Sequence, residues 1–323
     1  MRRPRRAKED LMRVTIAALA LTMFVAGCSS SDAPRSEGQP RPPERQEKSQ
    51  PPPRSPAAAR GSSQATEPPH GAHDHAIATA PSGGPPLEPP GAPLKGTAVD
   101  FPGSAGKASG YLAVPAGDAK GKHPAILVIQ EWWGMNDWVK RAADHFAEQG
   151  YVALAVDLYR GKSTTDPEEA HELMRGLPED RGLADLEAGF ELLSKRIDVE
   201  PTRVGAVGWC MGGGYATNLA THEKALAAVA VNYGHLVVDR AAIANMHAAF
   251  LGNFGGKDKG ITPDDVHTFE KEAKAVNKDV DVKIYESDGH AFMNPSNKEG
   301  YDAASTDDAW KRIDAFFAKK LKG

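Results

Sequence analysis

Residues 203–215 constrain the fold more than any other stretch, because they join a buried strand to a helix through a tight turn. Residues 204–207 are small or β-branched, as is typical of a buried strand, and a helix is predicted to follow the turn. Gly208 and Gly212 bracket Cys210 in a Gly-x-Cys-x-Gly pattern, and glycines are required where larger side chains would clash. The sequence therefore predicts a sharp strand-to-helix turn with Cys210 at its apex.

The predicted turn favours a reactive thiol at Cys210. The first turn of a helix carries free N–H groups and a partial positive charge, which favour an anion. They therefore favour the thiolate, which is the nucleophilic form of cysteine. The alternative is a small buried residue in a glycine-rich turn, and the pattern alone leaves both open.

The N-terminus resembles the leader of an exported lipoprotein. Basic residues dominate positions 1–13, and the apolar run 14–26 is too short for an ordinary membrane-spanning helix. The Val-Ala-Gly-Cys sequence that ends at Cys28 resembles a bacterial lipobox. This resemblance implies a signal peptide over residues 1–27, lipid attachment to Cys28, and a protein anchored in the cell envelope, periplasmic or surface-exposed. The alternative is an uncleaved membrane anchor with an incidental cysteine.

Residues 28–96 are predicted to form a disordered tether. They hold most of the 25 prolines of the chain and almost no large apolar side chains, so they cannot bury enough surface to offset the entropy of ordering. His70, His73 and His75 could bind a transition metal, but a disordered tract offers no preformed geometry. We therefore expect one folded domain over residues 97–323.

Charge and cysteine content narrow the classes of function. The formal net charge of −4 provides no basic surface for nucleic acid. The chain has 2 cysteines, and lipidation of Cys28 would leave Cys210 without a partner in a compartment that favours disulfides. An unpaired thiol there is either well buried or retained for its chemistry. The sequence contains no phosphate-binding loop, dinucleotide fingerprint or zinc spacing, so we expect no cofactor and no metal.

Apolar runs alternate with amphipathic stretches throughout the predicted domain. The predicted strands are 97–101, 109–114, 125–130, 152–156, 204–207, 227–232, 248–254 and 280–285. The predicted helices are 137–149, 167–175, 184–195, one that begins near Met211, 264–275 and 307–321. This alternation predicts an α/β fold with a mainly parallel central sheet and helices on both faces, opened by one antiparallel pair of strands.

Polar residues closely follow several of the predicted strands. These residues are Glu131, Asp157, Cys210, Asp258 and His290. Right-handed crossovers bring the carboxyl ends of parallel strands to one edge of a sheet, where sites of α/β proteins lie. The sequence therefore predicts one site at that edge.

Three of these residues have the types and the chain order of a catalytic triad. Cys210, Asp258 and His290 follow one another as nucleophile, acid and histidine, which is the order in α/β-hydrolases. Histidine titrates near neutrality, so it can take and return a proton, and a carboxylate can orient its ring. Two alternatives stay open: His290 could be an ordinary loop residue, and Asp288 could replace Asp258 as the acid.

Four motifs together resemble the dienelactone hydrolase family over about residues 97–323. They are Gln-Glu-Trp-Trp-Gly at 130–134, Asp-Leu-Tyr at 157–159, Gly-Trp-Cys-Met-Gly at 208–212 and Gly-His-Ala-Phe at 289–292. The resemblance implies an α/β-hydrolase fold. It also implies a hydrolase that cleaves ester or lactone bonds through a Cys-Asp-His triad and a thioester acyl-enzyme.

The resemblance also implies roles that spacing alone does not explain. Glu131 would lie beside the nucleophile and control its protonation until substrate displaces the carboxylate. The backbone N–H groups of Trp132 and Met211 would form the oxyanion hole, and the turn itself also implies this role for Met211. The alternative for Glu131 is a strand-end carboxylate paired with an arginine.

The resemblance describes the substrate less fully. Arg160 would hold a substrate carboxylate, and Tyr159 and Trp133 would be further substrate contacts. A second family arginine would fall at Asn294; this departure argues against a lactone of the chlorocatechol pathway, as does export. Four tryptophans near the site either line an aromatic pocket for a larger ester or belong to the core: Trp132, Trp133, Trp138 and Trp209.

Two classes of function stand as hypotheses. The first is an exported cysteine-dependent hydrolase of a small-molecule ester or lactone or, within enzymes, a thioesterase or a depolymerase of an exported polymer. The second is a lipid-anchored binding protein that keeps the fold without turnover. In either case we expect a monomer that meets the membrane only through its lipid anchor and binds no nucleic acid.

Overall fold

The computed structural model describes residues 93–117 and 121–323. The predicted leader, the lipidation of Cys28 and the histidines of the predicted tether lie outside the described residues. The strands are β1 Thr97–Gly103, β2 Gly106–Ala113, β3 His123–Ile129, β4 Val152–Val156, β5 Val199–Trp209, β6 Ala228–Asn232, β7 Ala249–Gly255 and β8 Val280–Tyr285. The helices are α1 Asp137–Glu148, α2 Pro167–Arg175, α3 Glu179–Ser194, α4 Met211–His222, α5 Arg240–Asn245, α6 Pro263–Ala275 and α7 Ala303–Phe317, which ends in a π-helical turn, Ala318–Lys322.

One sheet contains these strands in the order β1-β2-β4-β3-β5-β6-β7-β8. β2 pairs antiparallel with β1 and β4, and the other neighbours pair in parallel. The predicted mainly parallel sheet and its opening antiparallel pair are confirmed. The carboxyl ends of the parallel strands meet at one edge. No helix within the described ranges is long and apolar enough to cross a membrane.

Helices cover both faces of the sheet, as the continuous apolar strands require. On one face α1 and α7 pack against the sheet through side chains such as Phe146 and Trp310. On the other face α3, α4 and α6 do so through side chains such as Phe190, Leu219 and Phe269. Every residue of β4 and β6 is buried, so neither strand alternates between apolar and polar residues.

Three helices differ from the predicted ones. α3 begins at Glu179 rather than at 184, because Pro178 is its N-cap and acidic residues fill its first turn. α7 begins at Ala303 rather than at 307, because the side chain of Asp302 caps it. α5 was not predicted. It is short and has one buried residue, Ile243, so its sequence does not show the repeated apolar positions that predict a helix.

The chain makes ordered contacts just before the predicted boundary at residue 97. The backbone N–H groups of Lys95 and Gly96 donate hydrogen bonds of 3.0 and 3.1 Å to the buried carboxylate of Asp144 in α1. The hydroxyl of Tyr111 in β2 donates to the same carboxylate at 2.8 Å. The entering chain, α1 and β2 are therefore tied together at this point.

Candidate active site

The turn between β5 and α4 has the predicted shape. Cys210 joins the two elements with φ 54° and ψ −119°, a conformation that costs energy for a residue other than glycine. A side chain at Gly208 would overlap with the backbone of Gly212, and a side chain at Gly212 would overlap with the end of β3. The two glycines therefore allow α4 to start close to the sheet, with Cys210 at the apex.

Cys210, His290 and Asp258 form a hydrogen-bonded series. The Sγ atom of Cys210 lies 3.2 Å from Nε2 of His290, and Nδ1 of the same ring lies 2.7 Å from Oδ2 of Asp258. The alternative acid, Asp288, instead accepts a hydrogen bond of 3.3 Å from Ser287. With the carboxylate holding the proton on Nδ1, Nε2 is free to exchange a proton with the sulfur.

Asp258 is held in its charged form. Its side chain is 2% exposed, and burial alone would favour the neutral acid. The hydrogen bond from His290 and those from the backbone N–H groups of Gly260 and Ile261 outweigh burial, so the pKa of Asp258 lies below its usual value. The loop after β7 thus supplies a carboxylate that stays ionised next to the imidazole.

His290 is held as an imidazolium at neutral pH. Burial lowers its pKa, but the hydrogen bonds and negative charges of Asp258 and Cys210 outweigh burial and raise the pKa of His290 to about 10. The ring is 41% exposed, so a ligand can reach its Nε2 side. An imidazolium beside a cysteine sulfur stabilises the thiolate, which is the nucleophilic form.

Glu131 lines the same cavity as Cys210, and its two side-chain hydrogen bonds go to other residues. Its carboxylate is 2% exposed and accepts hydrogen bonds from the Tyr233 hydroxyl at 3.2 Å and from the Asn294 amide at 2.5 Å. Burial raises the pKa of Glu131 to about 7, although these two hydrogen bonds and the charge of His290 lower it in part. No arginine within the described ranges pairs with Glu131, so the alternative of a strand-end salt bridge is not what the structure contains.

A cavity of about 600 Å³ opens over Cys210 and His290. Trp132, Trp133 and Met174 contribute apolar surface to its wall, and the two tryptophan rings have centroids 4.9 Å apart. The cavity is therefore mainly apolar and leads directly to the sulfur, which is the arrangement expected of a small-molecule site.

The four tryptophans divide between this cavity and the core. Trp132 and Trp133 line the cavity. Trp209 is fully buried beneath the turn and meets Trp138 edge-on, with centroids 5.0 Å apart. Two of the four tryptophans therefore line the cavity and two belong to the core, and the use of the cavity for a larger ester stays a prediction.

The predicted substrate contacts Arg160 and Tyr159 are not in the cavity wall. The Arg160 guanidinium lies 2.7 and 3.0 Å from the two oxygens of Asp185, which is fully buried, and it also donates to the carbonyl of Lys107. Tyr159 packs under α4 and donates to Sδ of Met211 at 3.2 Å. The guanidinium of Arg160 is therefore held by Asp185 of α3, and the contact of Arg160 with substrate stays a prediction.

The two backbone N–H groups predicted for an oxyanion hole are both available. Met211 is the first residue of α4, so its N–H has no acceptor within the helix. Trp132 is the second residue of a turn closed by a 3.3 Å hydrogen bond from Gly134 to Glu131, and the turn does not use its N–H. Because Gly212 contacts the end of β3, the two turns lie side by side.

A row of buried amides supports the nucleophile turn from below. Arg312 of α7 donates to the Asn253 oxygen at 3.1 Å, and Asn253 donates to the Asn232 oxygen at 2.9 Å. Asn232 then donates to the carbonyl of Gly208 at 3.2 Å, and its own carbonyl accepts the N–H of Cys210 at 3.0 Å. The donors all point the same way along this row, an arrangement in which hydrogen bonds strengthen one another.

Positive φ angles are concentrated at this edge of the sheet. Four of the five non-glycine residues with positive φ in the described ranges follow the ends of strands there: Arg160 at 57°, Cys210 at 54°, Tyr233 at 38° and Ala291 at 57°. Each such conformation costs on the order of 1–3 kcal/mol and is kept only when the surroundings impose it.

Sequence reasoning missed Tyr233 and Met174. Tyr233 follows β6 directly, so the rule that located Glu131 and Cys210 at strand ends would also have located it. Met174 reaches the cavity from α2, and no pattern in the sequence marks it. Within residues 93–117 and 121–323, no group of histidine, cysteine and acidic side chains could hold a metal ion.

Comparison with known proteins identifies the family. The family model described as "Dienelactone hydrolase family" matches residues 108–321. The chain belongs to the dienelactone hydrolase family. This membership makes it a carboxylic-ester hydrolase with the α/β-hydrolase fold, and the four motifs at 130–134, 157–159, 208–212 and 289–292 all lie within the matched range.

Several known proteins are similar to this chain over most of their own length. "Protein usf" of Aquifex pyrophilus is 31% identical over 233 residues, which are 70% of this chain and 99% of that protein. "Putative carboxymethylenebutenolidase" of Methylorubrum extorquens is 30% identical over 68% of this chain and 79% of its own. A crystal structure of "Putative Dienelactone Hydrolase" from Klebsiella pneumoniae is 27% identical, with a TM-score of 0.62, and covers 69% of this chain and 99% of that one.

Proposed function

We propose that this dienelactone hydrolase family member cleaves ester or lactone bonds with Cys210 as nucleophile, His290 as proton carrier and Asp258 as the residue that orients His290. One observation carries the proposal: the 3.2 and 2.7 Å contacts of His290 with Cys210 and Asp258, at the base of an apolar cavity. The three side chains come from three separate loops at one edge of the sheet, as in other triads.

The first half of the reaction transfers the acyl group to sulfur. The Cys210 thiolate attacks the carbonyl carbon, and the developing oxyanion accepts hydrogen bonds from the N–H groups of Trp132 and Met211. The tetrahedral intermediate collapses, the carbon–oxygen bond of the ester breaks, and the Nε2 proton of His290 passes to the departing oxygen. The products are a thioester on Cys210 and a free alcohol or enol.

The second half releases the acid. His290 is now neutral at Nε2, so it accepts a proton from water, and the resulting hydroxide attacks the thioester carbonyl. The same two backbone N–H groups stabilise the second oxyanion. Collapse of this intermediate breaks the carbon–sulfur bond, releases a carboxylic acid and restores the thiolate–imidazolium pair.

Glu131 is proposed to set the charge of the thiol. A negative Glu131 favours the imidazolium of His290 but opposes a second negative charge on Cys210. Its pKa of about 7 means that modest changes in its surroundings decide whether it is charged. A substrate that displaces or neutralises Glu131 would therefore leave the thiolate as the favoured form at the moment of attack.

The test compares two cysteine variants of the full chain on p-nitrophenyl acetate. Cys210→Ala should lower kcat/KM by about a thousandfold or more and abolish the thioester adduct detected by mass spectrometry. Cys28→Ser removes the only other cysteine and should leave both unchanged. Equal turnover in wild type and Cys210→Ala, or no turnover by folded wild type with a free thiol, would overturn the proposal in favour of a binding protein.

We also propose that the full chain is exported and lipid-anchored through Cys28. The lipobox-like sequence before Cys28 and the basic, then apolar, leader support this location. A hydrolase held in the cell envelope would meet esters that arise outside the cytoplasm.

A further inference from the structure

We propose that the cavity selects esters whose acyl group is uncharged and apolar, and that it discriminates against acyl groups that carry a carboxylate. This inference rests on the proposed function, because it assigns the acyl group to the cavity above Cys210. The charges, hydrogen bonds and walls of the cavity all favour an uncharged acyl group.

The cavity has no fixed cation placed to neutralise a substrate carboxylate. No arginine is among its lining residues in the described part of the chain, and its one lysine, Lys298, lies at the mouth beside Glu299. Both side chains are exposed, so solvent and salt screen the charge of Lys298, and the adjacent Glu299 carries the opposite charge. His290 is cationic, but the carboxylate of Asp258, 2.7 Å from its Nδ1, already balances its charge.

Arg160, the arginine expected to hold a substrate carboxylate, is already engaged by a buried carboxylate. Arg160 contacts both oxygens of Asp185, and Arg181 adds a third contact of 3.4 Å to that carboxylate. Asp185 is fully buried, with 0% of its surface accessible. If Arg160 turned toward a substrate, the buried carboxylate of Asp185 would lose much of its compensating positive charge. Such a loss is strongly unfavourable.

The floor of the cavity also disfavours an anion. The Asn294 amide is fixed beside Glu131, because one hydrogen of its Nδ2 donates to Glu131 and its Oδ1 accepts the N–H of Ser296 at 2.8 Å. Glu131 itself is a carboxylate that is partly ionised near pH 7. A second carboxylate close to it would be repelled or would force Glu131 to bind a proton.

The walls suit an apolar acyl chain or an aromatic ring. Trp132, Trp133, Met174 and Ala291 face a volume of about 600 Å³, enough for a group much larger than acetyl. Transfer of an apolar group to such a surface is favourable, whereas transfer of an unpaired carboxylate is strongly unfavourable.

A matched pair of substrates tests the inference: p-nitrophenyl valerate and the mono-p-nitrophenyl ester of glutaric acid. The two acyl chains have the same number of carbons and the same leaving group, and they differ in a terminal methyl or carboxylate. We expect kcat/KM for the valerate to exceed that for the glutarate by about tenfold or more, from the cost of an unpaired charge. The ratio should shrink as ionic strength rises.

A variant of the wall supplies the missing cation. Met174→Lys should narrow the valerate-to-glutarate ratio, whereas Met174→Gln, which is of similar length and uncharged, should not. Met174 is half-buried, so a lysine there can extend its ammonium into the cavity mouth. The ratio in wild type stands as an independent test if Met174→Lys does not fold.

Four outcomes would overturn the inference while leaving the proposed function intact. They are a wild-type ratio near one, a preference for the glutarate, an equal response to Met174→Lys and Met174→Gln, and a selective loss of glutarate turnover in Lys298→Ala. The last would assign anion recognition to the lysine at the mouth. If neither ester is turned over in a Cys210-dependent way, the proposed function fails, and the inference fails with it.

Discussion

Replacing Glu131 with glutamine should change how the stability of the protein depends on pH. In wild type the Glu131 carboxyl has a pKa of about 7, against 4.5 when it is fully solvated, because the folded protein buries it. Between these two pH values the folded state holds a proton that the unfolded state has released. The free energy of unfolding must therefore fall as pH rises through this window.

The size of the effect follows from the shift in the pKa of Glu131. One pKa unit corresponds to about 1.4 kcal/mol, so ionisation of Glu131 should lower the free energy of unfolding of wild type by about 2–3 kcal/mol between pH 5.0 and pH 8.5. The glutamine of Glu131→Gln cannot ionise, so the variant should not show this loss of stability. The substitution also has a separate, pH-independent cost of about 1–2 kcal/mol, because glutamine offers one acceptor oxygen where Tyr233 and Asn294 each donate to an oxygen of Glu131.

Urea unfolding of wild type and Glu131→Gln at both pH values measures the effect. The stability of the variant relative to wild type should rise by about 2–3 kcal/mol from pH 5.0 to pH 8.5, and the pH-independent cost cancels in this difference. Glu299→Gln, an exposed glutamate at the mouth of the same cavity, is the matched control and should show no such rise. A pH-independent difference between wild type and Glu131→Gln would refute the argument that burial governs the Glu131 carboxyl.

Three further predictions concern the triad, the amide row and the lipid anchor. Asp258→Asn should lower kcat by about a thousandfold to ten-thousandfold while the protein stays folded, whereas Asp288→Asn should not; the reverse result would reassign the acid. Asn253→Leu breaks the amide row, and urea unfolding should show a loss of about 1–3 kcal/mol, with kcat reduced more than KM is raised; an unchanged kcat would restrict the row to a structural role. Cys28→Ser should move the protein from the membrane to the soluble fraction of fractionated cells, and unchanged membrane association would exclude lipidation of Cys28.

The fold and the reacting residues could be predicted because each depends on local rules. Continuous apolar runs separated by amphipathic stretches predict a covered, mainly parallel sheet, and the loops that follow parallel strands meet at one edge. Glu131, Cys210, Asp258 and His290 all sit in such loops, so their approach to one another follows from chain order alone. The structure adds the distances that join His290 to Cys210 and Asp258.

Side-chain direction could not be predicted in the same way. Arg160 stands in a strand-end loop, yet its guanidinium points to Asp185, which lies 25 residues further along the chain in α3. The packing of α3 against this loop determines the direction of the Arg160 side chain, and no local sequence pattern predicts that packing. The role of Asn294 is similar, because its hydrogen bond to Glu131 spans 163 residues and exists only once the loops after β3 and β8 meet.

At the residues with positive φ at the edge of the sheet, stability and activity favour different side chains. Glycine adopts such angles freely, so Ala291→Gly would relax the backbone. At Tyr233 glycine would instead remove a fully buried ring and the hydroxyl that donates to Glu131, so there the strained residue must be kept. A selection for heat resistance alone would therefore find some of its gains in the loops that carry the chemistry, and it would drift toward robust but inactive variants. A selection that scores turnover after heating should instead accumulate its gains in parts of the molecule remote from this edge. That added stability would then allow destabilising substitutions that create new substrate preferences.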